Sequence, residues 1–234
     1  MTDRHSSPVH RVSANDARGS SPGRQPPARW DFSEIALQPG DIVACWSRDW
    51  VGRGITWATA SPLAPRGLRL GPSHVAIVCE HDDEPLWVES TTLCERPCRI
   101  AERPRRGMQA HDPADRLADV QNAGGRLVRY TPAPIFRLST TESQLLSRIL
   151  LRHFLAARCP YDLVGAALSG WRLPRQLRRL LGADLEEVFC SELVAAVLMR
   201  LGRLSLADPA VFSPARLLRR LVRDGVYRPA ERLG

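Results

Sequence analysis

The sequence predicts an α+β fold. Short apolar runs bounded by turn residues fill the stretch from Asp41 to Tyr130. Helical periodicities with capping signals fill the stretch after Thr141. The two kinds of element follow one another instead of alternating, which separates this pattern from a doubly wound α/β sheet. The 234 residues have room for one large domain or two small ones. A hydrophobic content of 44% supplies a sizeable core, and 25% charged residues is ordinary for a soluble protein. Those proportions exclude disorder over the whole length. No stretch approaches about 20 uninterrupted apolar residues, so a bilayer-spanning helix is not expected.

Residues 1–29 read as a disordered basic tail, punctuated by Pro22, Pro26 and Pro27 and without periodicity. One domain is expected over 30–234. Asp41–Trp46 is the first strand, after a Pro39–Gly40 turn. His74–Cys79 and Leu86–Glu89 form a hairpin around the charged residues His81, Asp82, Asp83 and Glu84. The stretch 101–125 is polar and reads as a loop, with a short helix opening at Pro113 and capped by Asp112. Arg126–Tyr130 is a further strand after Gly124–Gly125.

The second half is helical. Thr141 with Gln144 gives a capping-box signal ahead of Leu145, Leu146, Ile149, Leu150 and Phe154. Tyr161–Gly170 is a short apolar segment, and Leu173, Leu177, Leu180 and Leu181 form one face of another helix. A fourth helix runs from about Cys190 to Leu201 and stops at Gly202. The last begins with Ser213 as cap and Pro214 in the first turn, and ends at Gly225.

The formal net charge is +8, and all 33 basic residues are arginine. An arginine-only chain suggests coding bias, so part of the excess is compositional. A basic balance still favours anionic partners. Arg172, Arg175 and Arg179 line one helical face, and Arg216, Arg219, Arg220 and Arg223 another. Such faces are either solvated or suited to docking on an anionic membrane surface. Aromatic residues are not interleaved with the basic ones, so no specific nucleic-acid binding is expected. The amino terminus lacks the apolar stretch of about 7–15 residues that a signal peptide needs, which points to the cytoplasm. The six cysteines are too sparse for a disulfide scaffold and read mostly as free thiols. Cys94 and Cys98, with His111 beyond, are the nearest approach to a metal set, but the spacing is loose and a fourth ligand is not obvious.

Three residues carry candidate chemistry. Cys190 is placed at the start of a helix, where free backbone N–H groups and the dipole favour a thiolate and offer an oxyanion donor. The competing reading is a buried structural cysteine. His74 opens an apolar strand, as either a base or a polar end residue. If Glu80 pairs with Pro85, Val78 faces Trp87 and Ala76 faces Glu89. His74 then lies one diagonal step from Glu89 on the same sheet face. A one-residue slip would separate the two. Together they make a nucleophile, a base and an orienting group.

The segments LQPGDIV, GPSHVAIV, LWVES, YDLVG, FCSELVAAVL and SPARLL, in that order, cover most of residues 37–217. This pattern resembles the YiiX/YaeF-type permuted papain-like enzymes of the NlpC superfamily. In non-permuted relatives the cysteine helix precedes the histidine strand; here it follows. The resemblance implies a small antiparallel sheet packed on helices, with Cys190, His74 and Glu89 matching nucleophile, base and third polar residue. It implies that Tyr161 lines the substrate pocket, although a packing tyrosine fits that position equally. The stretches 47–70 and 101–125 say nothing about specificity. The expected activity is a cysteine-dependent hydrolase or acyltransferase acting on a peptide or lipid acyl group, with no cofactor and no metal. The Cys190 backbone N–H is the expected first oxyanion donor. The alternative is a non-catalytic module that holds a peptide or lipid, with its basic helices on a membrane.

Overall fold

The computed structural model describes residues 36–48, 69–91, 95–105, 107–156, 186–207, 209–229 and 231–233, together with isolated positions between 53 and 66. All belong to one compact unit, 31–234. The expected tail 1–29, the segment Tyr161–Gly170 and the helix around Leu173–Leu181 lie outside the described residues.

Strands β1 (Ile42–Trp46), β2 (His74–His81), β3 (Glu84–Thr91), β4 (Gly107–His111), β5 (Arg126–Tyr130) and β6 (Glu231–Leu233) form a six-stranded sheet among the described residues. Its order is β4-β3-β2-β1-β5-β6, and every neighbouring pair is antiparallel. Helix α1 (Pro113–Asn122) joins β4 to β5. Helices α2 (Thr140–Arg148), α3 (Glu186–Arg200) and α4 (Pro214–Arg223) follow β5, and α2 runs on into a π-helical segment, Ile149–Ala156. The architecture is α+β.

The central strands are apolar because the sheet is covered on both faces. Ile42, Ala44, Val75, Ile77, Leu86 and Val88 face one way, in a cluster with Leu146 and Leu150, Val194 and Val197 of α3, and Leu217 and Leu221 of α4. Val43, Cys45, Ala76, Val78, Trp87 and Leu127 face the other way, against Leu117 of α1. A side-chain period of two places these sets on opposite faces.

Three expectations need correction, and one strand was not expected. The stretch 101–125 is not simply a loop with a helix, because Gly107–His111 pairs with β3 as β4. Its run Gly-Met-Gln-Ala-His has no β-branched residue, so pairing to an existing strand makes it a strand, not propensity. The unexpected strand is β6, Glu231–Leu233, laid against β5. The capping box is Ser139/Glu142 instead of Thr141/Gln144: Ser139 Oγ accepts from the Glu142 N–H at 3.3 Å, and Glu142 Oε2 accepts from the Ser139 N–H at 2.9 Å. Finally, α3 is already helical at Glu186, where the described residues resume, ahead of Cys190. Glutamate is a good helix former, which suits a helix that extends back beyond its apolar pattern.

Other signals act as the sequence indicates. Asp112 caps α1 with Pro113 in its first turn, and Ser213 caps α4 ahead of Pro214. Gly202 and Gly225 follow α3 and α4 with φ of 66° and 69°.

Candidate active site

His74 is the first residue of β2, and the strand end beneath it is tied down. Cys45 of β1 pairs with His74. The Ser73 N–H and hydroxyl both donate to the Cys45 carbonyl, at 3.0 and 3.2 Å, while Ser73 Oγ accepts from the Ser47 N–H at 3.1 Å.

The β2–β3 turn sets what His74 meets. Asp82 and Asp83 have φ of 51° and 61°, the left-handed pair of a two-residue hairpin turn whose twist matches the strands. The pairing is Val78 with Trp87 and Glu80 with Pro85. It puts Glu89 diagonally beside His74 on one face, and His74 Nε2 lies 2.8 Å from Glu89 Oε2.

Glu89 is fully buried. Its other oxygen, Oε1, accepts from Arg116 Nε at 2.8 Å and meets Nη2 at 2.7 Å. Burial pushes the Glu89 carboxyl up, but the hydrogen bond and charge of His74 and the charge of Arg116 outweigh it, so its pKa is lowered to about 2. Arg116 comes from the early part of α1, beside the buried Leu117. Asp119 of the same helix lies 3.5 Å from Arg116 and takes two hydrogen bonds from Arg96, at 2.9 and 3.1 Å. Arg96 also reaches Asp115 at 2.8 Å.

Cys190 completes the arrangement from α3, which packs on β2 and β3. Its side chain is hydrogen-bonded to the His74 ring. With Nε2 on Glu89, the remaining ring nitrogen is Nδ1. Burial disfavours the imidazolium, but the charge and hydrogen bond of Cys190, followed by those of Glu89, raise the His74 pKa to about 10. The structure therefore brings together Cys190, His74 and Glu89. Nearby Cys45 is held as a thiol: burial, then the Glu89 charge, push its pKa well above the ordinary thiol range.

An open groove of about 660 Å³ runs past this cluster, with Cys45, Ser73, His74, Thr91, Arg96 and Arg116 among its walls. Cys190 is fully buried, whereas the His74 side chain retains 14% exposure. A larger cavity, about 810 Å³, lies at the turn end of β2 between Asp41, Glu80, Asp82 and Ser143, and contains none of the three residues. Of the three residues, His74 alone lines the smaller groove.

The oxyanion donor is a correction. Because α3 is already helical at Glu186, the Cys190 N–H lies within the helix, where the carbonyl four residues earlier accepts it. Tyr161 and Cys94 lie outside the described residues. Cys98 is buried, with its sulfur 3.4 Å from the Ala110 N–H, and His111 Nε2 lies 3.0 Å from Gln109 Oε1. No group of three His, Cys, Asp or Glu residues placed for a metal occurs among the described residues.

Sequence reasoning missed Arg116. One signal for it exists: a carboxylate buried on an apolar strand needs a cation, and the Asp112–Pro113 helix start places Arg116 beside Leu117, which faces the core. No family model, curated protein or solved structure matches the chain.

Proposed function

We propose that the chain is a cysteine-dependent hydrolase or acyltransferase of permuted papain-like type. The observation that supports it is His74 held between a buried carboxylate and the Cys190 thiol. In this reading the Cys190 proton passes to His74, and the sulfur attacks an amide, ester or thioester carbonyl. As the tetrahedral adduct collapses, the imidazolium protonates the leaving group and a thioester to Cys190 remains. His74 then takes a proton from water or another acceptor, whose oxygen or nitrogen attacks the thioester and releases Cys190. Glu89 fixes the tautomer by accepting from Nε2–H, which leaves Nδ1 to serve the thiol. This chemistry calls for no cofactor or metal. The chain order of strand, strand and then cysteine helix supports the permuted type.

A second reading is a non-catalytic module that holds a peptide or lipid beside an anionic membrane. It is favoured by the burial of Cys190 and by the exposure of Arg216 and Arg223 on α4. A thiol-reactive activity probe separates the two. The hydrolase reading expects labelling concentrated on Cys190 and reduced about 100-fold or more in His74→Ala, the usual minimum for loss of a general base. Labelling that ignores Cys190, or is indifferent to His74→Ala, rejects it. A parallel screen of amide and ester substrates then identifies the acyl group.

A further inference from the structure

The Cys-His-Glu reading uses Glu89 as an orienting group, and His74 helps keep that buried carboxylate ionised, but within the trio only Oε2 has a partner and nothing holds Oε1. We propose that Arg116 is the positioning residue of this site: its guanidinium occupies Glu89 Oε1 and thereby fixes Oε2 on His74. The inference rests on the hydrolase reading and extends it by one residue.

The geometry divides the carboxylate cleanly. Both Arg116 contacts, 2.8 Å from Nε and 2.7 Å from Nη2, fall on Oε1, and the His74 contact, 2.8 Å, falls on Oε2. A carboxylate held at one oxygen by two donors cannot rotate its other oxygen away without breaking charge-assisted bonds. The Arg116 side chain is only 14% exposed, so this attraction is weakly screened. Arg116 is itself braced. It sits beside Leu117, a buried anchor of α1. On its outer side is Asp119, which Arg96 also grips. The line of alternating charge His74–Glu89–Arg116–Asp119–Arg96 leads from the buried thiol partner to the groove wall. A positioned Lys would supply the charge but not the fork.

The consequence is a pH dependence. An adjacent cation lowers a carboxyl pKa by about 1–3 units. Without Arg116, Glu89 takes up its proton at higher pH, and the His74 imidazolium loses its buried counter-charge. The acid limb of thiol reactivity therefore moves upward.

The test is iodoacetamide alkylation of Cys190 in the full chain, read by mass spectrometry from pH 3 to 9. It compares the wild type, Arg116→Gln, Arg116→Lys and His74→Ala, with circular dichroism verifying the fold at each pH. The expected result is an acid limb about 1–3 pH units higher in Arg116→Gln and partly restored in Arg116→Lys. A merely structural arginine would lower the amplitude or the melting temperature without moving the limb. If Cys190 reactivity depends on His74 but the limb is the same in all folded Arg116 variants, the positioning role is wrong and the thiol reading stands. If reactivity is indifferent to His74→Ala, both fall together. Should Arg116→Gln fail to fold, Arg116→Lys decides alone, a wild-type limb at position 116 Lys showing that charge suffices and overturning the role of the fork.

Discussion

His74, raised by Cys190 and then by Glu89, and Glu89, lowered by His74 and then by Arg116, shift in opposite directions, and the signs define a stability window. The His74 pKa rises from its ordinary 6.5 to about 10, so the stability it contributes is complete below about 6.5 and is lost as pH rises through 10. The Glu89 pKa falls from 4.5 to about 2, so its contribution is complete above about 4.5 and is lost as pH falls through 2. Both belong to one coupled pair and are not added. Urea denaturation across pH should show the pair's contribution at full strength between about pH 4.5 and 6.5. Glu89→Gln removes the carboxylate and leaves Arg116 buried without it. Loss of one partner of a buried pair costs about 3–5 kcal/mol, which should appear within that window while the acid flank flattens and the alkaline flank, raised first by Cys190, persists in part. An unchanged pH profile in Glu89→Gln would mean that the pair is not ionised. Cys190, His74 and Glu89 were legible at this scale because each is marked by its own element. Arg116 was not, because it meets Glu89 across 27 residues of chain and two kinds of element.

At the scale of elements, legibility followed locality. The β2–β3 hairpin could be registered from sequence because a period of two and a short turn leave few choices, and that register puts His74 beside Glu89. The start of α2 was ambiguous, since Ser139-Thr-Thr-Glu142 and Thr141-Glu-Ser-Gln144 both fit the capping-box pattern. Ser139→Ala should therefore cost about 0.5–2 kcal/mol, whereas Thr141→Ala should stay within about 0.5 kcal/mol. Thermal melts of the two variants check this, and the reverse order would move the cap. Strand β4 was illegible because its residues become a strand only through pairing with β3. The connection from α1 to β5 offers a sharper test. A Cβ on Gly125 would lie 2.7 Å from Val120 Cγ1, 2.9 Å from the Val120 carbonyl and 3.2 Å from the Trp46 carbonyl. Two of these neighbours are backbone, so they cannot rotate away. Gly125→Ala should lower stability by about 1–3 kcal/mol, measured by chemical denaturation. It should also disturb Arg116, because α1 is displaced as a unit. A neutral substitution would show that this turn has room.

For the whole molecule, the question is where a charge of +8 is placed. Many described arginines are matched locally: Arg99 with Glu84, Arg129 with Glu231, Arg203 with Glu142 and Arg220 with Asp224. Helix α4 sorts its residues by face, with Leu217, Leu218 and Leu221 buried and Arg216 and Arg223 exposed. No helix among the described residues is long and apolar enough to cross a membrane. A basic face of this kind suits an anionic surface without insertion. The full chain should co-sediment with phosphatidylserine vesicles at low salt and be released at high salt, since the screening length falls from about 10 Å at 0.1 M to about 3 Å at 1 M. Each arginine near such a surface contributes about 1 kcal/mol, so Arg216→Gln with Arg223→Gln should weaken binding by about 2 kcal/mol, roughly 30-fold. A control pair, Arg99→Gln with Arg129→Gln, removes the same charge at positions away from α4. If both pairs weaken binding equally, only net charge matters and α4 is not a docking face. Equal retention by neutral and anionic vesicles would reject membrane docking altogether. The proposed thiol chemistry stands apart from that outcome, since Cys190, His74, Glu89 and Arg116 make their contacts inside the fold, where the surface charge is not a partner.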